Sequence, residues 1–84
     1  MFYFTYVLRG KKDNRLYTGY TRQLRERLNE HNQGLNMSTK GRGPFELIYF
    51  EACLSEEAAQ KRERQLKSGH GKRYLKSRLG APYF

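Results

Sequence analysis

With 84 residues and one cysteine, Cys53, the chain has room for one modest core, and none for a disulfide framework or a cysteine-rich zinc site. Seventeen Lys and Arg against eight Asp and Glu leave a net charge of +9. That field favours a polyanion as partner, nucleic acid ahead of an anionic membrane surface. No run approaches the roughly 18–20 apolar residues of a membrane span. The opening MFYFTYVL has neither a basic leader nor a small-residue cleavage site. The expectation is one domain over residues 1–84, in a reducing cytoplasm, without membrane association.

Residues 2–8, FYFTYVL, are aromatic and β-branched, which suits a strand buried on at least one face. The polar GKKDNR that follows, with its Asp-Asn pair, predicts a hairpin loop, and LYTGY, 16–20, is the returning strand. Thr21 is predicted to cap a helix running to about Asn32, with Gly34 just beyond its end. NMSTKGRGP, 36–44, is a basic, Gly-rich loop, and Pro44 precedes a third strand, FELIYFEAC, in which Cys53 is expected as a small buried residue. Ser55 followed by Glu56 and Glu57 starts a second helix that reaches about Lys67. SGHG, 68–71, is expected to break it, KRYLKSRL to form a short basic third helix, and GAPYF to end as a surface extension or clasp. The order β-β-α-β-α-α predicts an α+β fold, a small three-stranded antiparallel sheet flanked by about three helices.

Helical residues advance about 100° each. With Leu24 at zero, Leu28 falls near 40°, His31 near 340° and Arg27 near 300°. Arg27 and His31 therefore flank the leucine stripe that faces the sheet, while Arg25 turns about 100° off it, towards solvent. An Arg and a His at a packing edge need polar partners, because unpaired burial is expensive. An arginine snorkelling past the core edge and a histidine bonded to the backbone would satisfy the same pattern. The tyrosines are candidate partners. Tyr6 and Tyr17 share a sheet face only when paired residue numbers sum to an odd value, and one such register sets Tyr6 opposite Gly19. A strand glycine there leaves space beside Tyr6 for a ligand or another backbone. Glu63 lies at the margin of the second helix's packing face, with Lys67 one turn on as a ready surface partner.

These residues together resemble the GIY-YIG nuclease superfamily over nearly the whole chain. Phe4-Thr5-Tyr6 and Tyr17-Thr18-Gly19 correspond to the two halves of its signature, ten residues lie between Tyr6 and Tyr17, and Arg27 follows Tyr17 by ten. His31 stands one turn after Arg27, and Glu63 in EEAAQKRERQLK matches the family's metal-binding glutamate. YVLRGKKDNRLYTGYT, STKGRGPFELIYFE and QLKSGHGKRYLK look most like the small stand-alone bacterial branch related to the nuclease domain of the excision-repair incision subunit. The chain departs from the pattern at Phe4, Thr5 and Thr18, and at Leu75, where some relatives carry an asparagine.

The resemblance implies a metal-dependent DNA endonuclease, with a place in DNA repair or recombination. It implies one divalent ion, magnesium or manganese, on Glu63. Tyr6 is implied as general base or water-positioning group, His31 as its proton acceptor, Arg27 as stabiliser of the transition-state phosphate and Tyr17 as an orienting group. Lys40 and Arg42 in the Gly-rich loop, and Lys72 and Arg73 after SGHG, suit a surface that tracks the DNA backbone. No specificity module fits in so short a chain, so a protein partner or homo-oligomer is a candidate source of specificity. A nucleic-acid-binding module of the same fold that cuts little or nothing, and a basic component of an RNA-protein assembly, are the competing readings.

Overall fold

The computed structural model describes residues 1–37 and 39–80. It contains β1 (Tyr3–Gly10), β2 (Leu16–Thr21), α1 (Leu24–Asn32), β3 (Phe45–Cys53), α2 (Glu56–Lys67) and α3 (Gly69–Leu79), in the expected order. The strands form one antiparallel sheet in the order β2-β1-β3. Its central strand comes from the most apolar stretch, and Thr5, Tyr6, Val7 and Leu8 are buried in succession. Such a run marks a strand covered on both faces. Tyr6 and Leu8 pack with Phe45, Tyr17, Leu24, Leu28 and Leu47 beneath α1. Val7 packs on the other face with Leu66 and Leu75 from α2 and α3. Thr5 ties β1 to α2 by donating its hydroxyl to the Ala59 carbonyl at 3.1 Å.

Turn chemistry sets the hairpin. Asn14 adopts a left-handed backbone (φ 59°), and the Asp13 carboxylate accepts from the Arg15 N–H at 2.9 Å. The resulting register pairs Tyr6 with Gly19 and Leu8 with Tyr17. On the other side, Val7 pairs with Tyr49 but Leu8 with Leu47, so Ile48 is an extra residue in β3. This bulge turns Phe45 and Leu47 towards α1, whereas Tyr49 and Glu51 face α2.

Three local expectations need correction. Thr21 does not cap α1: it is buried and paired with Phe4 in the ladder, and its hydroxyl accepts from the Gln23 N–H at 3.1 Å, leaving Gln23 at the cap position. SGHG does break the helix, but at Ser68 alone, which ends α2 and caps α3, accepting from the Gly71 N–H at 3.2 Å, so that Gly69–Gly71 open α3 rather than precede it. Gly71 is what lets two helices join so closely, since a Cβ there would collide with the Gln65 and Leu66 backbone. Cys53 is half-exposed at the strand end, its thiol directed to the Ser55 carbonyl. Ser55 does cap α2, accepting from the Ala58 N–H at 3.1 Å. Residues 81–84 of the expected clasp lie outside the described residues.

Candidate active site

Tyr6 is central because β1 is. Its ring lies over Gly19, so close that a Cβ at Gly19 would stand 2.6 Å from the phenol oxygen. Tyr17 joins it on the same face, with ring centroids 6.4 Å apart. α1 delivers His31 onto this pair: the imidazole is 1 % exposed, lies 4.8 Å from the Tyr17 ring, and its Nε2 sits 2.9 Å from the Tyr6 hydroxyl. The polar partners that helix geometry demanded are thus real, and the snorkelling, backbone-bonded alternative is set aside for His31. Its other nitrogen, Nδ1, lies 2.7 Å from the Thr39 hydroxyl.

Arg27, one turn before His31, keeps its side chain 39 % exposed, with Glu30 as a loose neighbour at 3.6 Å. The decoy Arg25 is exposed. Glu63 arrives from α2, beyond the edge strand β2, where Gln60 anchors the helix by donating to the Tyr20 hydroxyl at 2.7 Å. A cleft of about 520 Å³ gathers Tyr6, Tyr17, Gly19, Arg27 and Glu63 on its wall. Tyr20 also lines it, and because Tyr20 belongs to the opposite sheet face from Tyr17, the cleft wraps the outer edge of β2. Glu63 also forms the anticipated i,i+4 ion pair, 2.7 Å from Lys67.

Electrostatics set the protonation states. Burial foremost, then the neighbouring Tyr17, holds the Tyr6 phenol well above the ordinary tyrosine range; Arg27 pulls it down, while Glu63 and Glu30 push it up. Burial likewise lowers His31 below 6.5, helped by the Arg27 charge and partly opposed by Glu30. At neutral pH the site therefore holds a phenol and an uncharged imidazole.

The proposed DNA contacts are less concentrated. Lys72 lines a shallow recess with Lys67, Leu16 and Thr18 that shares Tyr17 with the cleft. Lys40, Arg42 and Arg73 do not line the cleft. Lys40 is exposed, Arg42 lies 5.9 Å over the Phe45 ring, and Arg73 bonds to His70 at 2.6 Å. Sequence reasoning missed Thr39, an inconspicuous residue of a Gly-rich loop. It also missed Asn32, whose amide donates to the Phe45 carbonyl at 3.3 Å and accepts from the Phe45 N–H at 2.6 Å. Glu56, on the cleft wall, could have been found from its i,i+7 spacing to Glu63. Two helical turns, roughly 10 Å, separate those carboxylates along the axis, too far to share one ion.

Among the described residues no three His, Cys, Asp or Glu side chains group into a metal cage. The cleft wall offers Glu63 and, two helical turns away, Glu56, with hydroxyls nearby, so one ion would meet a single carboxylate. That fits a hard, largely hydrated dication such as magnesium, which commonly takes one or two carboxylates and completes its shell with water and phosphate. No helix of the described residues is long and apolar enough to cross a membrane.

Comparison with known proteins places this geometry in a family. The chain matches the GIY-YIG catalytic domain over residues 2–76, and it belongs to that family. A UPF0213 protein of Clostridium perfringens is 43 % identical over 65 residues, covering 76 % of this chain and 69 % of the relative. One from Pediococcus pentosaceus is 48 % identical over 67 residues, covering 79 % and 68 %. The solution NMR structure of a UPF0213 protein from Bacillus halodurans is similar with a TM-score of 0.58 at 37 % identity, covering 99 % of this chain and 90 % of that one.

Proposed function

We propose that this GIY-YIG family member is a metal-dependent endonuclease that hydrolyses phosphodiester bonds in DNA. One observation carries the reading: an imidazole within 2.9 Å of a buried phenol, behind the wall of a cleft that the phenol lines together with an arginine and a carboxylate. Hydrolysis needs a water made nucleophilic, charge placed against the phosphate, and a route for one proton. His31 and Tyr6 supply the route. As water attacks phosphorus, its proton passes to the Tyr6 oxygen while the Tyr6 proton passes to His31 Nε2. The bond from phosphorus to the leaving oxygen breaks, and that oxygen takes a proton from solvent. Because Tyr6 is held high and His31 low, prior transfer between them is uphill, and the two movements are coupled to bond formation.

Arg27 faces the cleft with a permanently charged guanidinium able to bond two phosphate oxygens at once. Tyr17, its ring tilted against His31, orients the phosphate or the water. Glu63 would hold the divalent ion, magnesium or manganese. The ion would neutralise the phosphate and offset the carboxylate field that keeps the Tyr6 proton in place. The net charge of +9 supplies DNA attraction, with Lys72 in the recess that shares Tyr17 with the cleft and Lys40, Arg42 and Arg73 as further backbone contacts away from its wall. Binding should weaken steeply with salt, since phosphate contacts release counterions.

The test is cleavage of nicked, branched and linear DNA with and without magnesium, wild type beside Arg27→Ala. Magnesium-dependent cutting that Arg27→Ala abolishes supports the reading. Salt-sensitive binding by both proteins without cutting on any substrate would replace it with a non-cutting DNA-binding module, as would preference for structured RNA with an RNA-bound one.

A further inference from the structure

We propose that Thr39 is a positioning residue that fixes the tautomer of His31, keeping the nitrogen that faces Tyr6 free to accept a proton. The catalytic half of this statement rests on the nuclease reading; the tautomer does not. Thr39 lies in a polar, Gly-rich loop, yet it is fully buried, at 0 % exposure. The chain around it is held in place to put it there. Asn32 clamps both backbone groups of Phe45, which closes residues 33–44 into a loop anchored at its two ends. Inside that loop the Thr39 N–H donates to the Asn36 carbonyl at 3.1 Å, and the Arg42 N–H donates to the Thr39 carbonyl at 3.0 Å. Thr39 is the residue this turn points inward, and its Oγ1 meets His31 Nδ1 at 2.7 Å.

A neutral imidazole carries one N–H, and the partner on one nitrogen decides the state of the other. With the proton on Nδ1, all three hydrogens of the line have acceptors. Tyr6 O–H donates to Nε2, Nδ1–H donates to Thr39 Oγ1, and Thr39 O–H points at the Asn36 carbonyl, 3.5 Å away. With the proton on Nε2, the order reverses. Thr39 must turn its hydrogen to Nδ1 and lose the Asn36 carbonyl, and the buried Tyr6 phenol must find another acceptor. The first arrangement leaves fewer buried polar groups unmatched. It is also the one that lets Tyr6 hand over its proton. His31 then becomes an imidazolium whose Nδ1–H still rests on the Thr39 oxygen, so Thr39 stays neutral throughout.

The experiment reads the His31 ring nitrogens by two-bond proton–nitrogen NMR correlation at neutral pH, alongside cleavage kinetics. Wild type should show Nδ1 protonated and Nε2 bare. Thr39→Val, which keeps the shape and removes the hydroxyl, should shift His31 towards the Nε2–H form and lower kcat on the order of 100-fold with KM within about twofold. Thr39→Ser should restore both. A wild-type ring protonated on Nε2, or an unchanged tautomer in Thr39→Val, overturns the proposal. Should Thr39→Val fail to fold, the wild-type spectrum still decides. If wild type cuts no DNA while Thr39→Val changes the tautomer, the nuclease reading falls and the tautomer assignment stands.

Discussion

Two arginines stand on opposite faces of the same sheet, each at the margin of a helix's packing surface and near a tyrosine, and their surroundings differ sharply. Arg62 on α2 bonds Glu51 through Nε at 2.9 and 3.1 Å and through Nη2 at 2.8 Å, reaches Gln65 at 3.3 Å and lies 4.8 Å over the Tyr74 ring. Burial would raise the Glu51 pKa, yet hydrogen bonds from Arg62 and Tyr49 hold it below the usual carboxylate value. Arg27 on α1 has Glu30 at 3.6 Å and otherwise faces the cleft. A guanidinium offers five donors in a fixed fork. Arg62 has most of its fork matched and acts as a brace, whereas Arg27 has most of its fork available for a phosphate. Saturation by neighbours, more than residue type or helix position, separates the brace from the catalytic candidate.

The sharpest break of that contrast is paired substitution. Arg27→Ala should lower single-turnover cleavage on the order of 1,000-fold while leaving the urea midpoint nearly unchanged. Arg62→Met should do the reverse, costing about 1–2 kcal/mol of stability, discounted for its partial exposure, with cleavage per folded molecule within about threefold. Equal rate losses in the two would erase the distinction. The glycines offer a second pairing. Gly19→Ala forces a methyl against Tyr6 and should cost about 100-fold in kcat, the penalty of an ångström-scale misplacement. Gly71→Ala forces one against the Leu66 backbone and should cost about 1–3 kcal/mol of stability with unchanged kcat in the surviving folded fraction.

Acid should also act on one face first. The folded-state pKa of His31 is lowered, so below about 6.5 the unfolded chain binds the proton more readily than the native one. The stability contribution of neutral His31 is complete above that pH and is lost as pH falls from about 6.5 towards the depressed native value. Cleavage should hold below 6.5 and then decline with the same group. Denaturation midpoints and rates across pH 5–8 test this, and His31→Gln should flatten that segment of the stability curve. The smallest effect concerns Lys67. Removing its charge with Lys67→Gln should tighten magnesium binding by up to about fivefold, read by calorimetry, because an exposed ion pair is worth under about 1 kcal/mol.

Much of this was legible in the chain. The period of the leucines put Arg27 and His31 at the sheet-facing margin, and an odd register sum brought Tyr6, Tyr17 and Gly19 together, as the pairing now shows. Ser55 was readable because a cap depends on residues next to it. Thr21 was misread for the same local reason: its pairing with Phe4, a tertiary contact, overrode its tendency to cap. Asn32 and Thr39 left no local trace, since what matters is a strand start thirteen residues away for one and a helix residue eight away for the other. Glu63 stood apart only through the family resemblance. Its helix position pointed equally to the Lys67 pair, which the structure contains as well.

The extra residue in β3 carries a design consequence. In unbroken alternation Phe45, Leu47, Tyr49 and Glu51 would all project the same way. Ile48 changes the phase midway, so the first two roof the compartment around Tyr6 and the last two brace the far side. Drawing that isoleucine into a regular ladder, with no bulge to absorb it, would carry Glu51 round to the cleft-bearing face and leave Arg62 without its carboxylate. The separation between the cleft-bearing compartment and the bracing one is thus kept by the length of a single amino acid.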